Sequence, residues 1–437
     1  MIGNVSARRR HDIIEALRRG AVPVNGLDVL AVGLDRFTEA LDADLDRVAS
    51  GGSVFKAVRG EYGAGKTFFT RWLAERAKRR GFAVAEVQIS ETETPLHRME
   101  TVYRRLVEQL STEQFPPSAL RPILDGWIFA LEEDVLADGT VSENDAEALD
   151  AAVGKLLEQR LADISRSTPG FAAALRGYRA AGAAGDHAGA DGLAAWLGGQ
   201  PHVAAGVRRE AGVKGDLDHF GALSFVQGLL TVLRDSGHDG LLVVLDEVET
   251  LQRVRSDARD KALNALRQLV DDVHGGRFPG LYLVITGTPA FYDGQQGVQR
   301  LAPLAQRLAT DFGPDPRWDN PRATQIRLPG FTIEALVELG GKVTDLYTAA
   351  YDCPRVSETV DAAYIEDLAR AVTGRLGGNV GIAPRVFLKK LVSDVLDRVE
   401  QFPEWDPRKH YALTLRGDEL TEVERNAVSA DDIDLPL

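Results

Sequence analysis

The sequence predicts an α/β fold in which helices flank a parallel sheet. The β-rich run 54–58 precedes a glycine-rich loop and a helical segment at 66–80, the strand–loop–helix order of a parallel sheet. A second apolar run, 241–245, ends in two carboxylates. From residue 332 to 401 the apolar residues recur at helical spacing, which predicts an all-α domain after the sheet.

The remaining elements of the predicted core follow in order along the chain. A stripe of apolar residues, including Phe37, Leu41 and Leu45, predicts an amphipathic helix at 34–49 that ends at a glycine pair. β-branched and aromatic residues favour strands. We therefore predict further strands at 82–89, 281–285 and 326–328, with helices at 96–110 and 260–273.

Length and composition exclude several classes of protein. The chain has 437 residues, 44% hydrophobic and 27% charged, which is typical of a globular protein with two or three domains. No apolar run is long enough for a membrane helix, and no secretory signal follows the basic start. The single cysteine, Cys353, cannot form an internal disulfide. We therefore expect a cytoplasmic protein without a membrane partner.

The strongest motif is a phosphate-binding loop that fits the pattern G-x-x-x-x-G-K-[ST] at every fixed position. Its glycines let backbone N–H groups turn toward phosphates, and the helix that follows directs its positive end at the same anion. The lysine can reach the terminal phosphates and the threonine hydroxyl can bind Mg²⁺. The predicted ATP-binding residues are Gly60, Glu61, Tyr62, Gly63, Ala64, Gly65, Lys66, Thr67 and Phe68.

The carboxylates after the run 241–245 complete this site. Asp246 is predicted to hold Mg²⁺ together with Thr67, and Glu247 to polarise the attacking water. An apolar run ending in Asp-Glu is common by itself. Beside a phosphate-binding loop, it indicates an ATPase that uses ATP and Mg²⁺.

Polar residues farther along the chain resemble the sensor residues of AAA+ ATPases. A polar side chain at the end of strand 281–285 would lie between the carboxylates and the γ-phosphate, and we favour Thr288 over Thr286. The segment 377–385 begins a helix with a proline in its first turn, and Arg385 would project from it onto the nucleotide. An ordinary turn threonine and an exposed helix arginine are the alternatives.

An arginine near residue 305 could act in the site of a neighbouring subunit. The helix 301–308 carries Arg307, which we favour as this arginine finger, and Arg300, just before the helix, is the alternative. This role predicts a homo-oligomer with shared sites.

We predict four regions along the chain. They are an N-terminal helical segment at 1–50, an ATPase core at 51–330, a helical lid at 331–402 and a tail at 403–437. The separation of Lys66 from Asp246 exceeds what one strand and one or two helices need, so the core must contain a helical insertion at about 112–235. Aromatic residues of the insertion are predicted to be core rather than contact residues, among them Trp127, Phe129, Trp196 and Phe220.

The charge distribution leaves a nucleic-acid alternative open. The net charge is −14, yet residues 1–110 hold 18 Lys and Arg against 15 Asp and Glu. Arginine clusters such as 8–10 and 76–80 can be solvated helix faces or a phosphate-contacting patch. The net acidity argues against a protein that embraces nucleic acid with its whole surface.

Several segments together resemble the BREX-system ATP-binding protein family (BrxD-type), which is found in bacterial phage-defence islands. The resemblance is carried by 8–17, 33–37, 58–67, 88–97, 285–292 and 381–385. The P-loop is generic, whereas 88–97 is the more specific segment. The wider relatives are origin-recognition-like AAA+ proteins with a winged-helix domain after the lid. Too few residues follow residue 401 for that domain, so we expect DNA binding to be weak or indirect.

The resemblance implies an AAA+ ATPase that remodels or loads a partner on DNA within a defence complex. Other defence proteins, such as a helicase or a methyltransferase, are the partners that it implies. Two alternatives remain open. One is a slow nucleotide switch or scaffold for such a partner, and the other is a DNA-binding module that uses the N-terminal arginines.

Overall fold

The architecture is a five-stranded parallel sheet with helices on both faces and an all-α lid after it. The computed structural model describes residues 5–139, 141–142, 144–376 and 383–416, together with residues 420 and 425. The strands are β1 (Val54–Arg59), β2 (Ala83–Gln88), β3 (Leu241–Asp246), β4 (Leu281–Gly287) and β5 (Gln325–Arg327). They lie in the order β2-β3-β4-β1-β5, and every pairing is parallel.

The register brings the carboxyl ends of the strands together at one edge. Gln88 pairs with Asp246, Val58 pairs with Thr286, and β1 ends directly before the glycine-rich loop. In open parallel sheets, ligands bind outside the carboxyl ends of the strands. This edge is therefore where a site is expected.

The N-terminal 50 residues divide between two parts of the fold. They form α1 (Ala7–Arg18), α2 (Leu27–Leu30) and α3 (Asp35–Ala49). The apolar side of α3, including Phe37 and Leu45, packs on one face of the sheet. In contrast, Ile14 and Leu17 of α1 are buried in the core of the lid. The predicted segment 1–50 thus contributes to two hydrophobic cores.

The helices between β1 and β3 comprise α4, α5 and the predicted insertion. They are α4 (Lys66–Lys78), α5 (Met99–Gln109), α6 (Leu120–Ala137), α7 (Ala146–Arg160), α8 (Ala162–Ser167), α9 (Pro169–Ala183), α10 (His187–Leu197), α11 (Ala205–Glu210) and α12 (His219–Asp235). One continuous core joins the insertion to the sheet face opposite α3 and α4. The insertion therefore extends the ATPase core instead of forming a separate hydrophobic unit.

Of the four aromatic residues of the insertion that were named as core residues, two are buried and two are exposed, so the prediction was wrong for two of them. Trp127 and Trp196 are buried, and their indole nitrogens donate to the Asp235 carboxylate (2.6 Å) and to a backbone carbonyl. Phe129 and Phe220, however, are 59% and 80% exposed. Phe129 lies on the solvent side of α6, and Phe220 lies in the first turn of α12, outside the packed helix faces.

After β3 the chain completes the sheet and then forms the lid. The helices are α13 (Ser256–His274), α14 (Pro289–Asp293), α15 (Ala302–Leu308), α16 (Ile333–Tyr351), α17 (Pro354–Thr359), α18 (Ala362–Arg375), α19 (Ala383–Lys389), α20 (Asp397–Gln401) and α21 (Pro407–His410). A π-helical segment, Lys390–Leu396, joins α19 to α20. Short 3₁₀ turns lie at Val248–Gln252, Val298–Arg300 and Pro316–Trp318.

The start of the predicted tail packs on the lid. The Tyr411 hydroxyl donates to the Asp394 carboxylate over 3.2 Å, and Leu415 is buried in the lid core. Most of the predicted tail lies outside the described residues, as does 377–382 of the predicted sensor segment. In the part of the chain that the structure describes, no helix is long and apolar enough to cross a membrane.

Candidate nucleotide-binding site

The glycine-rich loop turns from β1 into α4 at the carboxyl edge of the sheet. Gly63 and Gly65 have φ values of 80° and 85°, in the left-handed region that glycine adopts without a steric penalty. Gly65 is the residue before α4, so the free N–H groups at the start of this helix face the loop. A phosphate placed there would meet both these donors and the positive end of the helix dipole.

Lys66 is turned back on its own loop. Its ammonium donates to the carbonyl of Gly60 over 2.9 Å and to that of Glu61 over 3.3 Å, and it lies 5.1 Å from the ring centre of Tyr62. Lys66 is 8% exposed. Of the predicted loop residues, Gly60, Glu61 and Tyr62 contact the ammonium, and the role of the others in binding ATP stays a prediction.

The acidic pair lies directly opposite the loop. Thr67 Oγ1 donates to Asp246 Oδ2 over 3.1 Å, so the two predicted Mg²⁺ ligands are in contact. Glu247 follows with φ 58° and ψ 41°, an uncommon conformation for a residue other than glycine. Such backbone positions are costly and cluster at functional sites.

The structure places Thr286, rather than Thr288, beside these carboxylates. Thr286 Oγ1 donates to Asp246 Oδ1 and accepts a hydrogen bond of 3.1 Å from the backbone N–H of Glu247. β4 continues through Gly287, two residues beyond the predicted strand, so Thr286 still lies in the sheet. Thr288 is buried and precedes α14, where the chain has already left the strand. The preference for Thr288 therefore lacks support from the contacts.

Two residues at this site were not identified in the sequence. Gln88, at the end of β2, donates from Nε2 to Glu247 Oε2 over 2.9 Å. Glu249, in the turn after the acidic pair, lies 3.7 Å from Lys66 Nζ. Because β2 and β3 are paired in register, the end of β2 reaches the acidic pair across 159 residues of sequence. The presence of a third carboxylate in Asp-Glu-Val-Glu was the available signal for Glu249.

The three arginines predicted to act on phosphate have partners within the chain. Arg307 forms an ion pair with Asp271 on α13 and donates to the Pro303 carbonyl. Arg300 pairs with Asp260, also on α13. Arg385 lies on α19 with Nη1 3.3 Å from the point where a Cβ on Gly20 would stand. The finger and second-sensor roles therefore stay predictions, and Arg307 would have to leave Asp271 to act in another subunit.

The N-terminal arginine clusters are largely neutralised inside the fold. Arg9 pairs with Glu75, Arg76 with Asp42 and Arg79 with Asp28. The Arg76 guanidinium lowers the pKa of the Asp42 carboxyl below its ordinary value by hydrogen bonding. Arg10 donates to backbone carbonyls of the first residues and of the lid. These contacts favour a structural role for the clusters.

The sheet order, the glycine-rich loop after β1 and the acidic pair after β3 are the arrangement of a P-loop nucleotide-binding protein. Its sequence matches the family described as "BREX system ATP-binding protein BrxC/D" over residues 5–415. The chain belongs to this family, as the resemblance predicted, and other components of the BREX system are its implied partners.

Two further comparisons were made. A search of curated proteins gave no match. Among solved structures, the chain is similar to the Aeropyrum pernix ORC2 protein in ADPNP–ADP complexes, with 12% sequence identity and a TM-score of 0.33. That match covers 87% of this chain and 70% of the other.

Proposed function

We propose that this protein hydrolyses ATP with Mg²⁺ at the edge formed by the P-loop and the acidic pair. The observation that carries the proposal is the 3.1 Å contact between Thr67 Oγ1 and Asp246 Oδ2 beside a buried Lys66. A hydroxyl and a carboxylate oxygen are donors that suit Mg²⁺, which is usually bound through one or two protein groups together with substrate phosphates. When bound, Mg²⁺ neutralises charge that develops on the phosphates.

The roles of the chain's own residues follow from their positions. The loop N–H groups and Lys66 hold the phosphates, and Glu247 accepts a proton from the attacking water. Thr286 fixes Asp246 and the backbone of Glu247 through its two hydrogen bonds. Positioning of this kind is the main contribution that a protein makes to phosphoryl transfer.

Apolar side chains beside α4 are suited to the adenine base. Phe68 and Phe331 are partly buried at the contact between α4 and the lid, together with Val32. Phe331 Cε2 lies 3.6 Å from the point where a Cβ on Gly65 would stand, so this ring adjoins the P-loop. An aromatic face at the junction with the lid offers stacking to a planar base.

We propose further that the protein forms a homo-oligomer and drives the remodelling or loading of a BREX partner on DNA in anti-phage defence. Family membership supports the choice of partners. In this oligomer, Arg307 leaves its ion pair with Asp271, enters the nucleotide site of the neighbouring subunit and pairs there with the charge of the phosphates. Such an arginine accelerates hydrolysis by roughly a thousandfold or more where it operates.

A slow nucleotide switch is the second candidate, and the Gln88 contact is the observation that favours it. Gln88 Nε2 donates a hydrogen bond to one oxygen of the Glu247 carboxylate. While this bond is present, that oxygen accepts from the amide and not from water. A partner that releases this hydrogen bond would start turnover. Under this alternative, the isolated protein binds ATP and hydrolyses it slowly.

The deciding experiment measures ATP hydrolysis over a range of protein concentrations, with and without duplex DNA. For an ATPase with shared sites, specific activity rises with concentration. The Glu247→Gln variant should bind ATP as the unaltered protein does and lose hydrolysis by about 100-fold or more. Tight ATP binding with flat, near-zero activity would instead support the switch, and failure to bind ATP would overturn both.

A further inference from the structure

Glu249 is an unusual carboxylate, because it is buried and no other described residue donates a hydrogen bond to it. It lies in the 3₁₀ turn Val248–Gln252 and is 5% exposed. Within the described part of the chain, neither carboxylate oxygen has a hydrogen-bond donor from another residue. A buried charge is costly unless it is paired or hydrogen-bonded. Glu249 therefore requires an explanation that packing does not supply.

Its nearest opposite charge is the lysine of the P-loop. Glu249 Oε1 lies 3.7 Å from Lys66 Nζ, and both side chains are less than one-tenth exposed. The ammonium has three donors, and two of them already bind the carbonyls of Gly60 and Glu61. The Glu249 carboxylate is thus the third oxygen-bearing group around the Lys66 ammonium. A bound phosphate must reach the same ammonium.

The two neighbouring carboxylates oppose the charge of Glu249. Burial, aided by the charges of Asp246 and Glu247, raises the pKa of the Glu249 carboxyl, and Lys66 and the backbone N–H of Glu249 oppose this shift. The phenol of Tyr62 lies on the same side and has its own pKa raised by burial and by Glu249. Lys66 is thus the compensating charge that the surroundings of Glu249 supply.

We propose that Glu249 is a positioning residue that holds Lys66 in the nucleotide-free site, so that ATP binds by displacing Glu249 from the lysine. This inference rests on the proposed function, because it assumes that the phosphates of ATP bind Lys66. Because the ion pair must be broken, the affinity for ATP is lower than the P-loop would have without Glu249. Glu249 also gives the lysine a partner to return to when phosphate and ADP leave.

The first test measures ATP binding by isothermal titration calorimetry in a double-mutant cycle of Glu249→Gln and Lys66→Met. With Lys66 present, Glu249→Gln should tighten ATP binding about tenfold. In the Lys66→Met background, the same change should have no effect, because no lysine remains to be released. Equal gains in both backgrounds would show general charge repulsion and would overturn the proposal, as would an unchanged affinity with Lys66 present.

The second test needs no nucleotide. Acetic anhydride labels free lysine amines, and mass spectrometry reports the acetylation rate of Lys66 in the nucleotide-free protein. Release from the ion pair should raise this rate severalfold in Glu249→Gln and in Glu249→Met, which replaces the carboxylate with an apolar chain of similar length. Unchanged labelling in both folded variants would overturn the inference, whatever the ATP measurements show.

A matched control and the wild-type result keep the two proposals apart. Glu91→Gln removes one exposed carboxylate from the loop after β2 and should leave both Lys66 labelling and ATP affinity unchanged. Unaltered protein that binds ATP while Glu249→Gln has no effect would contradict this inference alone. If the unaltered protein does not bind ATP, the proposed function is contradicted. The displacement of Glu249 by ATP is then contradicted as well.

Discussion

Gln88 Nε2 and Glu247 Oε2 form a hydrogen bond of 2.9 Å between the carboxyl ends of two neighbouring parallel strands. The amide of β2 therefore engages the carboxylate that is proposed to activate water. Glu247 is held from the other side by the hydrogen bond from its backbone N–H to Thr286. The carboxylate that is proposed to activate water is thus positioned by residues of two neighbouring strands.

We predict that Gln88→Ala raises the basal rate of ATP hydrolysis. A hydrogen bond to a charged group contributes roughly 1.5 kcal/mol, so its removal should increase the rate by about tenfold. Steady-state phosphate release from the purified protein checks this. Gln268→Ala, an exposed glutamine on α13 that bonds to Asp272, is the control and should have no effect. A lower rate in Gln88→Ala would show that Gln88 aids catalysis instead.

The two threonines at the end of β4 give a matched pair of variants. Thr286→Val removes the hydrogen bonds to Asp246 and from the Glu247 backbone while keeping the side-chain shape. We expect kcat to fall by up to about 100-fold, since small displacements of catalytic groups have effects of that size. Thr288→Val should stay within a few-fold of the unaltered protein in kcat and KM. A larger loss of kcat in Thr288→Val than in Thr286→Val would support Thr288, the residue favoured from the sequence.

Mixing two inactive variants tests whether Arg307 acts between subunits. Arg307→Ala should lose about a thousandfold in rate if this arginine is a finger, and Glu247→Gln about 100-fold or more. In mixed oligomers, some sites combine an intact Glu247 with an intact Arg307 from the neighbour, so part of the activity should return. Arg300→Ala, which removes the pair with Asp260, tests the alternative arginine and should keep most of the activity if Arg307 is the finger. No recovery on mixing would exclude a shared site built from these residues.

The contact between α1 and the lid predicts a loss of stability when Arg18 is removed. Arg18 donates to both carboxylate oxygens of Asp397, over 2.7 and 2.8 Å, and to the Tyr351 hydroxyl over 3.0 Å. Arg18→Ala leaves the half-buried Asp397 without these donors, and we expect a cost of about 2 kcal/mol in unfolding free energy. Thermal and denaturant unfolding measure it. Arg19→Ala, an exposed neighbour, should change stability by less than about 0.5 kcal/mol.

The predicted elements that matched the structure depend on local signals. The P-loop is read from a fixed spacing, and the strands β1 and β3 are unbroken runs of buried residues. The fold class and the site edge follow from these runs, because the carboxyl ends of parallel strands meet at one edge. The helices of the lid were likewise predicted from helical spacing after residue 332, and α16 is the first of them, at Ile333–Tyr351.

The parts that were missed depend on register and on helix orientation. Gln88 reaches Glu247 only because β2 pairs in register with β3, and no local pattern gives that register across a long insertion. Thr286 and Thr288 both stand near the end of β4, and the sequence does not show which hydroxyl faces the carboxylates; the contacts of Thr286 with Asp246 and Glu247 do. The exposure of Phe129 and Phe220 depends on which helix faces pack together, and a helical pattern rich in Ala and Leu does not specify this.

The burial of α1 in the lid has a practical consequence for dividing this protein into parts. Ile13, Ile14 and Leu17 fill one side of a core built mostly by residues after 330. A fragment that starts near the P-loop would retain every nucleotide-binding motif and yet expose the apolar surface that α1 covers, which favours aggregation. The two ends of the chain must therefore be produced together, although more than 300 residues separate the helices that meet.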